Sequence, residues 1–417
     1  MSEQTASHGF RLSPQQQRLW ILQQEGRTQY AQCALLIEGN LDKQRLNRAL
    51  QVCVARHEIL RTTFQQVPLL EYPLQVIDSQ GHVLQEEIDL SALDVCIQEE
   101  VIQQLIQTQR LLPFDLKNSS PLRITLITQT QAQHILLIGV AALCADSATF
   151  RYLLEACSQA YVFFEQDELE EYALQYADFT TWQIETLELE QPLLAREYWQ
   201  KHIQHVNKPE LKWLERTITK NTMSLPPVPL TIAARLDTVT QLRILAEQHQ
   251  LSVEGILLTG WFILLWRLSG TTSIGVGLIA QGRDVSEPQK LLGPVARCLP
   301  LLLKMERQTN ILQVLKRVEE LLSEAREWEV YFDPAHKQEG SIATNAVHSM
   351  PIAFEYSEWP QYAADGLIFK IISQSICAEP ADLKLTCNIQ QQALYIDLQY
   401  NPALYAKDSI ARLLGYY

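Results

Sequence analysis

Residues 134–150 read His134-Ile-Leu-Leu-Ile-Gly-Val140-Ala141-Ala142-Leu-Cys144-Ala-Asp146-Ser147-Ala-Thr-Phe150. The run His134–Val140 is dense in branched apolar residues and long enough for a buried strand. Asp146-Ser147 then supplies side-chain oxygens where a helix over the periodic segment Phe150–Phe164 needs its first amides satisfied. The stretch predicts a strand, a tight turn through two alanines, and a helix whose head carries an acid. A strand that delivers a polar residue to the head of a helix is a common way to build a site.

Working outward, Ser13-Pro14 marks a helix start, with Ser13 as N-cap and Pro14 in the first helical position. Cys33–Glu38 predicts a short strand ending at Gly39-Asn40, and Leu41–His57 a helix with Leu46, Leu50 and Val54 on one face. Residues 71–90 predict a polar-edged hairpin and 95–111 a helix. Leu122–Thr128 predicts a strand joined to His134–Val140 by a Gln-rich turn at 129–133. After a helix over 148–164 come the acidic stretch Glu165–Glu171 and one long helix from Tyr176 to about His205. The segment 206–229, with Pro209 and the cluster Leu225-Pro226-Pro227-Val228-Pro229, has the proline content of a linker.

Beyond it, strands are expected at 230–236, 273–279, 299–305, 351–356, 367–374, 383–389 and 393–399. Helices are expected at 238–249, 252–268, 309–327 and from 403. The fold class is α/β: two similar lobes, 1–205 and 230–417, joined by 206–229, with the site expected in the cleft between them.

Composition narrows the function. The length of 417 residues calls for two cores, and an apolar fraction of 47% supplies them. A net charge of −14 with no Lys/Arg block argues against a nucleic-acid partner. The N-terminal segment Met1–Phe10 lacks the basic and apolar regions of a signal peptide, and no apolar run approaches the roughly 18–20 residues of a membrane span, so the expected setting is cytoplasmic. The eight cysteines are scattered without a Cys-x-x-Cys pair and read as buried thiols. With no Walker loop, no Gly-x-Gly-x-x-Gly and no His/Cys ligand set, no bound metal, nucleotide or flavin is expected.

Taken in order, these motifs resemble the condensation domain of nonribosomal peptide synthetases, over nearly the whole chain. Ser13-Pro14-Gln15-Gln16-Gln17-Arg18-Leu19-Trp20 is similar to the family's opening motif. Arg56-His57-Glu58-Ile59-Leu60-Arg61-Thr62-Thr63-Phe64 is similar to its second, and Tyr176-Ala177-Asp178-Phe179-Thr180-Thr181-Trp182 to its fourth. The resemblance implies two chloramphenicol-acetyltransferase-like lobes in a V-shaped pair with a tunnel between them.

The family's third motif, His-His-x-x-x-Asp-Gly, aligns with Ala141-Ala142-Leu143-Cys144-Ala145-Asp146-Ser147, so both histidines are alanine. In the family the second histidine deprotonates or positions the attacking amine; Ala142 can do neither. The fifth motif, Gly-x-Phe-Val-Asn-Thr-Leu-Pro, falls on Gly293-Pro294-Val295-Ala296-Arg297-Cys298-Leu299-Pro300, where Asn-Thr has become Arg297-Cys298. The sixth is hard to recognise in Trp328–Pro334. By resemblance Ala141, Cys144, Ser147, Arg297 and Cys298 line the substrate tunnel. Asp146 pairs with Arg283, a structural role first and a catalytic one second.

Neither His134 nor His57 is read as replacing the lost pair. His134 lies eight residues before Ala142, roughly 26 Å along a strand. His57 belongs to a structural motif, and His336 and His348 fall in a loop of underivable position. Cys144 occupies an apolar slot with no partner to activate it.

The leading expectation is a degenerate condensation domain of a peptide or hybrid peptide–polyketide line, impaired in amide formation and serving as a structural or docking module near a loading module. The chain starts at Met1 and stops inside its final helix, as though cut from the N-terminus of a longer polypeptide. The implied partners are carrier-protein and adenylation domains, with phosphopantetheine on the carriers. An alternative is an active acyltransferase on carrier-tethered thioesters with a non-histidine site involving Asp146, Arg297 or Cys298. A stand-alone acyltransferase using a soluble thioester is weaker, because that class also needs the histidine.

Overall fold

A computed structural model of the chain describes residues 9–27, 29–79, 81, 84–163, 174–189, 193–204, 211, 227–235, 237–283, 290–306, 308–333, 350–378 and 381–417. The elements run α1 (Pro14–Gln24), β1 (Tyr30–Glu38), α2 (Lys43–Arg56), β2 (Thr62–Gln65), β3 (Leu74–Ile77), β4 (Leu84–Asp89), α3 (Val95–Leu111), β5 (Leu122–Thr130), β6 (Gln133–Val140), α4 (Ser147–Val162), α5 (Tyr176–Glu188) and α6 (Leu193–Gln204). They continue with β7 (Val228–Ala233), α7 (Thr238–His249), α8 (Val253–Ser269), β8 (Ser273–Ala280), β9 (Arg297–Lys304) and α9 (Ile311–Trp328). The last are β10 (Ile352–Glu358), β11 (Gln361–Ala364), β12 (Leu367–Cys377), β13 (Leu383–Gln390), β14 (Ala393–Tyr400) and α10 (Lys407–Tyr416).

The chain forms two compact units, each a mixed α/β layer structure. The first comprises Met1–Glu185, Arg283–Val295 and Pro360–Ala378; the second takes Thr186–Gly282, Ala296–Trp359 and Glu379–Tyr417. This differs from a single cut at 206–229, because two later segments return to the first unit. Of that expected linker only Leu211 and residues 227–229 are described.

In the first unit a six-stranded sheet has the order β11-β12-β1-β6-β5-β4. Its central strands are buried on both faces, which is why the sequence of β6 reads as an unbroken apolar run instead of an alternation. Ala34, Ile127, Ile135 and Leu137 pack with Ile102 and Ile106 of α3. Leu35, Ile37, Leu136 and Ile138 alternate with them, point to the other face and are equally buried.

In the second unit the sheet order is β7-β14-β13-β10-β8-β9, with β10 parallel to both β13 and β8. Trp261, Phe262 and Leu265 of α8 and Val318, Leu321 and Leu322 of α9 share one core with Phe354, Leu385 and Leu398 of that sheet.

Three local expectations change. Residues 71–90 are not a hairpin: β3 pairs antiparallel with β2, whereas β4 runs parallel to β5 in the large sheet. The strand at 367–374 does not join the second sheet; as β12 it pairs with β1, from Tyr30↔Cys377 to Glu38↔Ile368. The long helix from Tyr176 is described as two, α5 and α6. The acidic stretch Glu165–Glu171, His336 and His348 lie outside the described residues.

His134 sits at the start of β6, paired across the sheet with Ile37 and Thr128, its Nδ1 3.3 Å from Thr128 Oγ1. The far end of that strand delivers the turn. Ala141 donates its amide to the Pro121 carbonyl (2.8 Å), a 3-10 turn covers Ala142–Cys144, and Asp146 caps α4.

His57 closes α2, its amide donating to the Cys53 carbonyl at 3.1 Å. Burial, with a smaller push from the Arg56 guanidinium, lowers its pKa to about 4. Because the folded value lies below the ordinary 6.5, the unfolded chain binds the proton first as pH falls. Stability is therefore unaffected by this group above about pH 6.5 and declines as pH drops towards about 4, by about 3 kcal/mol in all. Chemical denaturation between pH 7 and 4 is expected to show that decline in the native chain and a flatter profile in His57→Gln.

Candidate active-site region

Within the first unit, side chains from four distant segments and the backbone of a fifth, 291–295, meet around the head of α4. Asp146 is its N-cap, only 4% exposed. Its Oδ1 accepts the Thr149 amide (2.9 Å) and the Thr149 hydroxyl (2.8 Å), and Thr149 Oγ1 accepts the Asp146 amide in return (3.1 Å). This reciprocal capping is what the sequence Asp146-Ser-Ala-Thr149 encodes locally.

Arg283, equally buried, grips the same carboxylate in a fork. Its Nη1 donates to Oδ2 at 2.8 Å and its Nη2 to Oδ1 at 3.1 Å. Nε and Nη2 also donate to the Leu291 carbonyl (3.1 and 3.0 Å), and Nη2 to the Gly293 carbonyl (2.9 Å). The Val295 amide donates to Asp146 Oδ2 at 3.0 Å. Burying two charges carries a desolvation penalty, which close geometry and saturated hydrogen bonding must offset. Both conditions hold here.

The segment 293–295 is fixed from other sides. The Tyr176 hydroxyl donates to the Pro294 carbonyl (3.0 Å) and lies 2.8 Å from Ser13 Oγ. Burial raises the pKa of that phenol well above its ordinary value, so it is protonated and available as the donor. Gln15 Nε2 donates to the Val295 carbonyl (3.1 Å). Gln16 Nε2 reaches the Leu143 carbonyl inside the alanine turn (3.0 Å). Gly293 has φ +131°, and a Cβ there would lie 2.2 Å from Tyr176 Cδ2, so the position requires glycine on both counts.

The structure thus brings Ala141, Ala142, Cys144, Asp146, Ser147 and Arg283 together in the first unit, all of them buried. Arg297 and Cys298 fall in the second unit, at the start of β9. The Arg297 guanidinium donates to the Glu329 carbonyl, and a Cβ on Gly277 would lie 2.5 Å from Cys298 Sγ, so that thiol is packed over the neighbouring strand. Ser13, Gln16, Thr149 and Tyr176 contribute to the network although sequence reasoning gave them only helix-starting or motif-matching parts. The signal available was their position inside the quoted motifs; their partners are largely backbone groups, which no side-chain pattern reveals.

Chemically, Asp146 has its lone pairs committed to Thr149, Arg283 and Val295, which leaves no acceptor site for an amine proton. Cys144 is fully buried, and desolvation pushes its pKa far up, so it remains a thiol and not a nucleophilic thiolate. Among the described residues no group of three or more His, Cys, Asp or Glu is placed to hold a metal ion. No single described helix is long and apolar enough to cross a membrane.

Two mixed α/β units, with an acid-capped helix locked by an arginine and a glycine-headed segment, define a class: the chain belongs to the condensation domain family, whose model matches residues 7–417. Among curated proteins it is 24% identical over 418 residues to bacitracin synthase 3 of Bacillus licheniformis, an alignment covering 98% of this chain and 6% of that protein. The chain therefore spans a small fraction of the relatives it matches. Among solved structures, the first condensation domain of the CDA synthetase superposes with a TM-score of 0.82 at 19% identity, covering 98% of this chain and 94% of that one. The X-domain in its complex with OxyB from teicoplanin biosynthesis gives 0.72 at 21% identity, covering 98% and 92%.

Arg283→Met strands the Asp146 charge and is expected to cost about 3–5 kcal/mol in urea denaturation. Adding Asp146→Asn to it should cost much less than the sum of the two single changes, because the pair acts as a unit. Gly293→Ala is expected to lower the melting temperature measurably, through backbone strain of about 1–3 kcal/mol and the clash with Tyr176.

Proposed function

We propose that this chain is a condensation domain of a peptide-synthetase assembly line, acting in the cytoplasm, that does not form amide bonds at the family's ordinary rate. In this reading it serves as a structural or docking module beside carrier and adenylation domains of the same line. The observation that carries the reading is the contrast within one turn. The Asp146–Arg283 network that shapes the motif is intact, while Ala141 and Ala142, where the family's histidines align, offer only methyl groups.

A positioned general base contributes on the order of 10²–10⁴ in rate. The neighbours do not replace it, since Asp146 is saturated and Cys144 is held protonated. Phosphopantetheine enters as the arm of the partner carrier, and the thioester it presents is already activated. Slow residual reaction through proximity is therefore compatible with this reading. The fold itself can serve as a docking platform, as the X-domain in complex with OxyB illustrates.

The test is incubation of the domain with donor and acceptor carrier proteins loaded with aminoacyl thioesters, followed by intact-mass detection of the dipeptidyl carrier. The expected rate is about 10²-fold or more below that of a histidine-bearing condensation domain. Turnover at a comparable rate overturns the proposal. In the longer polypeptide, deleting the domain is expected to lower solubility or adenylation by the remainder, and unchanged behaviour would remove the scaffolding role.

A further inference from the structure

A β-sheet leaves an unpaired row of amides and carbonyls along each outer strand, and stable chains guard those rows. In the two large sheets the outer strands are β11 and β4, and β7 and β9. β4 carries Glu86, Glu87 and Asp89, β11 is only four residues long, and β9 is buried over 297–301. β7 has none of these guards. It reads Val228-Pro229-Leu230-Thr231-Ile232-Ala233, without a charged side chain. Thr231, Ile232 and Ala233 are exposed, Ile232 to 39%.

The first unit shows what such an edge accepts. There β4 runs parallel to β5, β5 antiparallel to β6, and β6 antiparallel to β1. In the second unit β10, β13, β14 and β7 follow in the same order and the same directions, so β7 is the counterpart of β1. The outer side of β1 is filled by β12, antiparallel from Tyr30↔Cys377 to Glu38↔Ile368. The outer side of β7 has no such strand among the described residues.

The ladder fixes which groups of β7 face away from the sheet. The Ala234 amide donates to the Leu394 carbonyl beside β14 at 2.8 Å. Residues that bond an antiparallel neighbour alternate with residues that face away from it. Val228, Leu230 and Ile232 therefore turn their backbone groups to β14, and Pro229, Thr231 and Ala233 turn theirs outward. Proline at 229 costs the sheet nothing, because the N–H it lacks would point away from β14. The outward donors are thus concentrated at Thr231 and Ala233.

We propose that β7 pairs with β7 of a second copy, antiparallel about a two-fold axis at Ile232. A two-fold axis enforces the same antiparallel direction that β12 adopts on β1. In this register Thr231 of one copy and Ala233 of the other exchange both backbone hydrogen bonds, and symmetry repeats the exchange. Pro229 falls opposite Arg235, whose carbonyl already accepts the Thr238 amide at 3.0 Å and needs no donor from it. A register centred on Thr231 would instead set Pro229 opposite Ala233 and leave that carbonyl unserved. Across the axis Ile232 meets Ile232 as a non-hydrogen-bonded pair, the closest kind, with Cα atoms about 4.5 Å apart. That contact covers an exposed apolar side chain, and no charge faces a like charge.

A single strand pair buries little surface, so the dimer is weak and the test must reach high concentration. Sedimentation equilibrium of the full 417-residue chain, from about 1 µM to about 1 mM, is expected to show a monomer–dimer equilibrium. Thr231→Pro removes an outward donor and no bond to β14, as Pro229 does already. Ile232→Lys sets like charges face to face. Each is expected to weaken association about tenfold or more. Ile232→Lys changes an exposed position and is expected to keep the native melting temperature, which separates loss of pairing from loss of fold.

The register is read by Ile232→Cys in a Cys96→Ser background, Cys96 being an exposed thiol. Oxidation is expected to give a disulfide-linked dimer, since the Cα separation at the axis suits one. Val228→Cys, roughly 27 Å from its own image in this register, is expected to give none. A chain that stays monomeric to about 1 mM overturns the proposal, and the edge then belongs to an extended segment of another protein or to none. Association undiminished in both Thr231→Pro and Ile232→Lys, or crosslinking at 228 and not at 232, overturns it equally.

Discussion

The forked pair between Asp146 and Arg283 is the interaction on which the motif region depends. A buried carboxylate needs a counter-charge, and the counter-charge arrives from 137 residues further along the chain. Once in place, the guanidinium has donors left over, and these take the Leu291 and Gly293 carbonyls. The Val295 amide completes the acid's shell. The head of α4 and the segment 291–295 thereby become one rigid piece, to which Ser13, Gln15 and Tyr176 add further ties.

None of those bonds passes through the side chains at 141 and 142. Ala141 contributes its amide to Pro121, and the turn's Leu143 carbonyl accepts from Gln16; both are backbone groups, available whatever the side chain. The geometry of the motif and the chemistry of its first two positions are therefore separable in physical terms. On the proposed reading, methyl groups at these two positions leave the scaffold's hydrogen bonds untouched and supply no group to handle the amine's proton. The carboxylate that remains is committed to holding the scaffold.

Much of this was readable from local patterns. The helices Val95–Leu111 and Thr238–His249 match the expected 95–111 and 238–249, because periodicity and capping are properties of neighbouring residues. Strand partnership is not local. The two strands of the hairpin expected at 71–90 are present as β3 and β4, but nothing in them says that β3 belongs with β2 and β4 with β5. Likewise the apolar stretch now seen as β12 gives no sign that its partner is β1, more than 300 residues away. The acid was visible as the head of a helix, and its arginine only through the resemblance to the family. The Val295 amide and the Leu291 carbonyl were not, since backbone groups look alike in every sequence, and the Tyr176–Ser13 contact joins side chains 163 residues apart that no local pattern pairs.

The central claim is that the methyl at position 142, and not damage to the surrounding fold, limits amide formation. Single-turnover condensation between loaded carriers, compared for the native chain and Ala142→His at equal melting temperature, measures it directly. The account predicts a native rate near background and a rise of about 10² or more in the variant. A native chain that already condenses as fast as its histidine variant would contradict it.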